Sequence, residues 1–153
     1  MKLAEALIIR ADLQKQIYQL KNRLVLNSKV QEGEEASENP HILMTKLSEN
    51  ISELQDLIYR INMTNSTYLV DGKPITYLMA QRETLLLKID TLRAFLDNAS
   101  RTVDRYSNKE IKIVSTVNVT EIQAKVDVLS KEYRLLDAKI QSVNWQADLV
   151  ENV

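Results

Sequence analysis

An apolar repeat near the end of the chain leaves few folds open to it. Between Thr120 and Val143, apolar side chains recur at alternating spacings of four and three residues. They are Ile122, Val126, Leu129, Tyr133, Leu136, Ile140 and Val143. The spacing averages about 3.5 residues, close to one helical turn, so these side chains form a seam along one face of a helix. The repeat predicts a helix over about residues 121–144 that must pack against another helix.

Three earlier stretches repeat the pattern and predict helices over about residues 2–30, 41–65 and 77–106. The second follows Asn39-Pro40, an N-cap residue and a proline at the first helical position. Its seam consists of Met44, Leu47, Ile51, Leu54, Ile58 and Ile61. With two glycines and two prolines, the chain has few breaks between long elements. The sequence predicts one mainly α domain, residues 1–153, built as an antiparallel bundle of four long helices with coiled-coil-like seams.

Two short stretches between the helices predict β structure. Residues 67–75 carry β-forming residues on both sides of Asp71-Gly72, a pair typical of the tight turn of a β-hairpin. Residues 111–119 hold β-branched residues at alternating positions, which favours one further strand over the helix start indicated by Ser107 and Glu110. In the preferred antiparallel bundle, the hairpin and this strand lie at opposite ends. The alternative is a strand that runs back to the hairpin and leaves the last helix parallel to the third.

The composition excludes several classes of function. Twenty basic and twenty-one acidic side chains give a net charge of −1, which argues against a nucleic-acid partner because phosphate binding requires a concentrated positive face. Without cysteine, the chain has no disulfide, thiolate metal site or cysteine nucleophile. It contains no phosphate loop, dinucleotide fingerprint or metalloprotease motif. We therefore expect a protein without enzymatic activity, with no cofactor, no catalytic residues and no metal site.

Other patterns predict the location and the assembly of the protein. Glu5 and Arg10 come too early for the apolar core of a signal peptide, so a cytoplasmic protein is expected. No run approaches the roughly 18 apolar residues of a membrane span, so no membrane contact is expected in the resting state. The third helix carries Leu86 and Phe95 outside its seam, which indicates a second neighbouring helix or a second subunit. Because a strand edge also invites pairing, the sequence predicts a homo-oligomer.

Polar residues within the predicted helices mark a candidate ligand-binding cluster. Arg10 and Arg82 occupy seam positions near the starts of the first and third helices. Asn62 and Asn65 lie near the end of the second helix, and Glu83 follows Arg82. In an up-down-up arrangement these residues converge at the hairpin end, where a guanidinium requires an acidic partner or a bound anion. Two interpretations remain open: a structural polar layer that fixes the register, which is preferred, and a small-anion or ligand site.

Five segments along the chain together resemble the septicolysin-like family of small bacterial proteins. They are MKLAEALI at residues 1–8, VQEGEE at 30–35, RINMTN at 60–65, DRYS at 104–107 and NWQADL at 144–149. The resemblance implies a helical fold. It also implies a link to pore-forming cytolysins, because some members carry that name. It implies no catalytic residues.

Three functions follow as expectations. The first is a non-enzymatic structural or interaction protein of the bacterial cytoplasm that self-assembles through its helical seams and a β edge. The second is a cytolysin-like protein that becomes membrane-active after a conformational change. The third is a small-anion or ligand-binding protein that uses the polar cluster at the hairpin end.

Overall fold

The computed structural model describes residues 1–101 and 113–151. Its elements in chain order are helices α1 (Leu3–Leu26) and α2 (Pro40–Thr67), strands β1 (Leu69–Val70) and β2 (Lys73–Pro74), and helices α3 (Ile75–Ser100) and α4 (Val119–Gln146). The predicted mainly α fold with a short hairpin is confirmed. The predicted continuation of the third helix to residue 106 lies partly outside the described residues.

The chain divides into two compact units. The first comprises Met1–Pro74 and Ser142–Val153, and the second comprises Ile75–Gln141. Helix α4 therefore contributes most of its length to the second unit and its last turn to the first. The single domain expected from the sequence stays a prediction.

In the first unit, α1 and α2 form an antiparallel helical hairpin. Near the end of α1, the Arg23 guanidinium pairs with Glu38, which lies just before α2. Farther along, Asn50 Nδ2 donates to Gln16 Oε1 at 3.2 Å. The buried residues of the hairpin include Leu13 and Leu20 on α1 and Leu43, Leu57 and Ile61 on α2. Leucine and isoleucine seams of this kind supply the apolar burial that holds two long helices together.

The connection between α1 and α2 shows why each helix ends where it does. The side chain and backbone N–H of Asn27 both donate to the carbonyl of Arg23, which ends α1 at Leu26 rather than near residue 30. The next helix begins as predicted, because Asn39 Oδ1 accepts from the backbone N–H of His41 at 2.9 Å beside Pro40.

The chain ends of the first unit are joined by a set of hydrogen bonds that we call the terminal clasp. Leu3 N donates to the carbonyl of Ala147, and Leu149 N donates to the carbonyl of Met1, both at 2.9 Å. Between these bonds, Lys2 Nζ lies 2.7 Å from Asp148 Oδ1. The sequence did not predict this clasp, because an isolated bridge between distant residues leaves no repeating hydrophobic pattern in the sequence.

The predicted hairpin is present between α2 and α3. Leu69 pairs with Pro74 and Val70 with Lys73 in antiparallel register. Asp71 and Gly72 have φ values of 51° and 77°, the left-handed pair that a type I′ turn requires. The strands stop after two residues each, since Pro74 has no N–H with which to extend the ladder.

In the second unit, α3 and α4 form another antiparallel helical hairpin. Its core contains Ile89, Leu96 and Val126, which are seam residues of the two predicted helices. Arg82 Nη1 lies 2.6 Å from Asp137 Oδ1 near one end of the hairpin. Within the described residues, none of the helices is long and apolar enough to cross a membrane.

The strand expected over residues 111–119 is not found in its described part. Residues 113–118 form no strand, Val119 already begins α4, and residues 111–112 lie outside the described residues. The period-two pattern was overridden by local polar groups. Ser115 Oγ accepts from the backbone N–H of Val117 in a tight turn, and Asn118 Oδ1 accepts from the backbone N–H of Glu121 as a helix cap.

Candidate functional site

The residues of the predicted polar cluster are divided between the two units. Arg10, Asn62 and Asn65 belong to the first unit, where Arg10 is half-buried, Asn62 is exposed and Asn65 is buried. Arg82 and Glu83 belong to the second unit, where Glu83 is exposed. That these five residues converge on a ligand stays a prediction.

Within the second unit, Arg82 has an acidic partner. Arg82 was expected to require an acidic partner or an anion, and its Nη1 donates to Asp137 Oδ1 at 2.6 Å. Sequence reasoning missed Asp137 because the residue lies beside the α4 seam, where a charged side chain gives no distinctive signal. The pair neutralises the guanidinium without a bound ion.

A different surface is the strongest candidate for function, and it lies on the α1/α2 hairpin. Five large apolar side chains remain exposed along one side of this hairpin, and we call them the α1/α2 stripe. They are Tyr18 (63% exposed) and Val25 (64%) on α1, with Met44 (44%), Ile51 (47%) and Ile58 (37%) on α2. Within residues 1–101 and 113–151, each of these five side chains keeps more than a third of its surface exposed.

Helical geometry explains why these residues share one side. Val25 follows Tyr18 by seven residues, and Met44, Ile51 and Ile58 also recur every seven residues. Seven residues are about two turns, so each set returns to the same line along its helix. On both helices, the stripe residues are displaced from the buried residues in the same direction around the helix axis. Because the helices are antiparallel and face each other, the two sets lie on the same side of the hairpin.

The residues that border the stripe on α2 are uncharged, and Ser48 and Gln55 are exposed beside it. On α1, Gln14 is uncharged, whereas Lys15 and Lys21 are exposed one turn from Tyr18. In a two-stranded coiled coil, positions that flank the seam usually carry glutamate or lysine. Apolar residues at these positions are typical of helices that pack against more than one neighbour, and contact surfaces between proteins are depleted of charge at their centres.

The opposite side of the same hairpin carries polar side chains that form hydrogen bonds with one another. The hydrogen bond from the Arg23 guanidinium lowers the pKa of the Glu38 carboxyl below its ordinary value, against the smaller opposing effect of desolvation. Asn50 and Gln16 form their hydrogen bond on this side as well. Two pairs of polar groups on this side are therefore bonded within the chain, whereas the stripe side carries the five exposed apolar side chains.

The described residues show no arrangement suited to a metal. Across residues 1–101 and 113–151, no three histidine, cysteine, aspartate or glutamate side chains are grouped closely enough to hold an ion. The side chains of the stripe are apolar apart from the Tyr18 hydroxyl, so the chemistry available there is apolar contact.

The fold and the stripe define a class of helical protein, in which hairpins of long helices leave apolar side chains uncovered. The chain belongs to the family described as a family of unknown function (DUF6847), whose model matches residues 10–149. A crystal structure of a functionally unknown conserved protein from Corynebacterium diphtheriae is similar, with a TM-score of 0.87. It is 41% identical, and the match covers 98% of this chain and 99% of that chain. No curated protein matches.

These relationships correct the resemblance suggested by the sequence. The matching family is the family of unknown function, not the septicolysin-like family, so the resemblance to that family was wrong. Four of the five segments that carried it lie in described residues and are helix, helix-end and loop sequences, which many helical proteins share for reasons of local stability. The fifth, at residues 104–107, lies outside the described residues. No inference about pore formation follows from them.

Proposed function

We propose that the protein is a non-enzymatic helical scaffold that associates with further copies of itself through the α1/α2 stripe. The observation that supports this proposal is the seven-residue recurrence of exposed apolar side chains on two adjacent helices. We assign the contact to the stripe rather than to a β edge. The strands β1 and β2 have two residues each and offer few backbone groups to a second chain.

The apolar area of the stripe is of the size that association requires. Burying a valine, isoleucine or methionine side chain completely contributes about 1.5–3 kcal/mol, and the stripe residues are roughly half exposed. Covering all five would contribute roughly 4–7 kcal/mol per copy. Two copies that cover each other's stripes gain about twice this amount, which is comparable to the roughly 4–15 kcal/mol that association costs. A polar partner surface would supply only half of the gain.

The polar cluster supports no second proposal. Arg82 is already neutralised by Asp137 in the second unit, which removes the strongest reason to expect a bound anion there. Within the part of the chain that the structure describes, the stripe has no comparable partner.

The test is the mass of the protein in solution, measured by light scattering on a sizing column over a hundredfold range of concentration. The proposal predicts a wild-type mass that is a multiple of 17.6 kDa. Ile51→Glu, which places a charge at the centre of the stripe, is expected to shift the mass to that of a single chain. A wild-type protein that remains a single chain at every concentration would show that the proposal is wrong.

Ser52→Glu is the matched control. Ser52 is exposed, lies one residue beyond Ile51, and is rotated by about 100° away from the stripe. The control introduces the same charge into the same turn of α2, so it separates loss of apolar contact from a general effect of added negative charge. It is expected to retain the wild-type mass.

A further inference from the structure

Helix α4 carries a second seam on the face that points away from the core of the second unit. The core contacts the first seam, in which Val126 is buried. On the outer face, Val128 and Leu135 lie seven residues apart and are 59% and 62% exposed. With their neighbours at alternating spacings of four and three residues, they define what we call the outer seam. It consists of Ala124, Val128, Lys131, Leu135 and Ala138, all of them exposed.

The outer seam has the spacing and the side chains of a contact between helices. A recurrence of four and three residues returns each side chain to one line along the helix. The two alanines allow the backbone of a second helix to approach closely. Lys131 occupies a seam position at which a single lysine fixes the register of paired helices at some cost in stability. The outer seam is therefore suited to one further helix.

Each edge of the outer seam carries one basic and one acidic side chain. Lys125 and Glu132 lie along one edge, and Asp127 and Arg134 lie along the other. All four side chains are exposed. Among the described residues, neither Glu132 nor Arg134 has an ion-pair partner. The contacts of Lys125 and Asp127 are made to exposed side chains one turn away on α4, so they are weak in water.

The outer seam can pair with the outer seam of a second copy that runs in the opposite direction. A two-fold axis perpendicular to α4, midway between Val128 and Lys131, brings the valine of each copy level with the lysine of the other. The lysine stem can cover the valine while its ammonium group reaches water. The same axis brings Leu135 level with Ala124 of the other copy, so a large side chain meets a small one. The exposed valine and leucine of both copies are thereby covered.

The charges at the edges of the outer seam match in this arrangement. The two-fold axis places each edge opposite the same edge of the other copy, with its direction reversed. Lys125 then lies within about 3 Å, measured along the helix axis, of the level of Glu132 of the other copy. Asp127 lies within about 3 Å of the level of Arg134 of the other copy. Because symmetry repeats each pair, the contact contains four ion pairs between copies.

Other arrangements of the same two helices bring like charges together. A shift of seven residues in one direction sets Glu132 against Glu132 and Arg134 against Arg134 of the other copy. A shift in the opposite direction sets Lys125 against Lys125 and Asp127 against Asp127. Parallel helices bring Asp127 beside Glu132 of the other copy. Like charges across a contact disfavour a complex, so the edges of the outer seam are complementary to themselves in one direction and one register.

We propose that α4 forms a second contact between copies of the protein, an antiparallel two-fold pair of α4 helices joined by the outer seam and four ion pairs. This contact goes beyond the α1/α2 stripe, which belongs to the first unit. It covers two large apolar side chains per copy rather than five, so it is the weaker contact, with a dissociation constant of roughly 0.1–1 mM. A weak contact of this kind joins copies that the stripe already holds in one assembly, because several contacts then act together.

The test measures association by sedimentation equilibrium of the full chain carrying Ile51→Glu, at concentrations up to about 1 mM. In this chain the stripe does not contribute, and dimers of α4 are expected. Lys125→Glu and Glu132→Lys, each added alone, are expected to weaken association roughly tenfold or more, because each sets like charges opposite one another twice. An equimolar mixture of these two variants is expected to associate at least as tightly as the starting chain, since each copy supplies the charge that the other lacks. The double variant Lys125→Glu/Glu132→Lys is expected to associate as the starting chain does.

Lys88→Glu and Glu83→Lys are the matched control pair. They make the same changes of charge at exposed positions on α3, outside the outer seam, so their mixture is expected to associate no more tightly than the starting chain. The proposal is overturned if the starting chain stays single at about 1 mM, or if mixing the two α4 variants restores nothing. An equal gain from the α3 mixture also overturns it, because net charge would then explain the effect. Every sample carries Ile51→Glu, so these results do not depend on whether the stripe associates.

Discussion

Replacing Thr64 by valine should show how strongly the segment after α4 is held to α2 in the first unit. Thr64 is 1% exposed, and its Oγ1 donates to the carbonyl of Arg60 at 2.8 Å. The same oxygen accepts from the backbone N–H of Val150 at 3.0 Å. Valine has nearly the shape of threonine but no acceptor, so Thr64→Val leaves the Val150 N–H without its partner and creates no cavity.

The expected cost follows from this loss. A buried donor left without an acceptor destabilises a protein by about 1–3 kcal/mol. Since Val150 is half-buried, water replaces part of the lost bond, and we expect a loss of about 1–2 kcal/mol. In urea unfolding followed by circular dichroism, with a slope of about 2 kcal/mol per molar, the midpoint should fall by roughly 0.5–1 M.

Thr67→Val provides the matched comparison. Thr67 lies at the end of the same helix, and its Oγ1 also donates to a carbonyl four residues earlier, that of Met63 at 2.8 Å. It is exposed, and the hydrogen bond given for its side chain is to Met63 and not to the segment after α4. Its replacement should change stability by less than about 0.5 kcal/mol. The reasoning is refuted if the two variants unfold at the same urea concentration, or if the Val150 amide keeps its hydrogen-exchange protection in Thr64→Val.

Two further predictions concern the first unit. The hydrogen bond from Arg23 lowers the pKa of the Glu38 carboxyl, so this pair should add stability at neutral pH that is lost as the pH falls below the ordinary carboxyl range and through the lowered value. Carbon-detected NMR titration should give a Glu38 pKa below the ordinary value, which returns toward it in Arg23→Gln. Gly72→Ala should destabilise the protein by about 1–2 kcal/mol in urea unfolding, because φ at this residue is +77° although the space beside it is open. An unchanged midpoint would contradict that estimate.

The features that sequence could predict are those with a local or periodic cause. The α2 start follows from Asn39 and Pro40, and the type I′ hairpin follows from Asp71-Gly72, because these residues favour those backbone conformations by themselves. The four helices follow from apolar recurrence close to the helical period. The terminal clasp could not be predicted, since Lys2 and Asp148 are brought together by the packing of helices and not by any pattern near either residue.

On α2, the spacing of apolar residues predicts the helix but not which of these residues are buried. The alternating spacing placed Met44, Ile51 and Ile58 within the contact between helices, yet the structure leaves all three exposed. It buries Ile61 of the predicted seam together with Leu57, which lies outside that seam. The apolar surface of α2 is therefore wider than the single helix α1 covers.

A hydrophobic pattern records that a side chain benefits from leaving water, but not which molecule covers it. The same pattern suits a residue buried within its own chain and one buried against a second copy, since the gain per unit of apolar area is the same in both cases. Ile51 therefore satisfies the seam rule while remaining 47% exposed in the chain alone. For this reason the mass of Ile51→Glu in solution tests whether a second copy covers this residue, which the spacing of apolar residues cannot show.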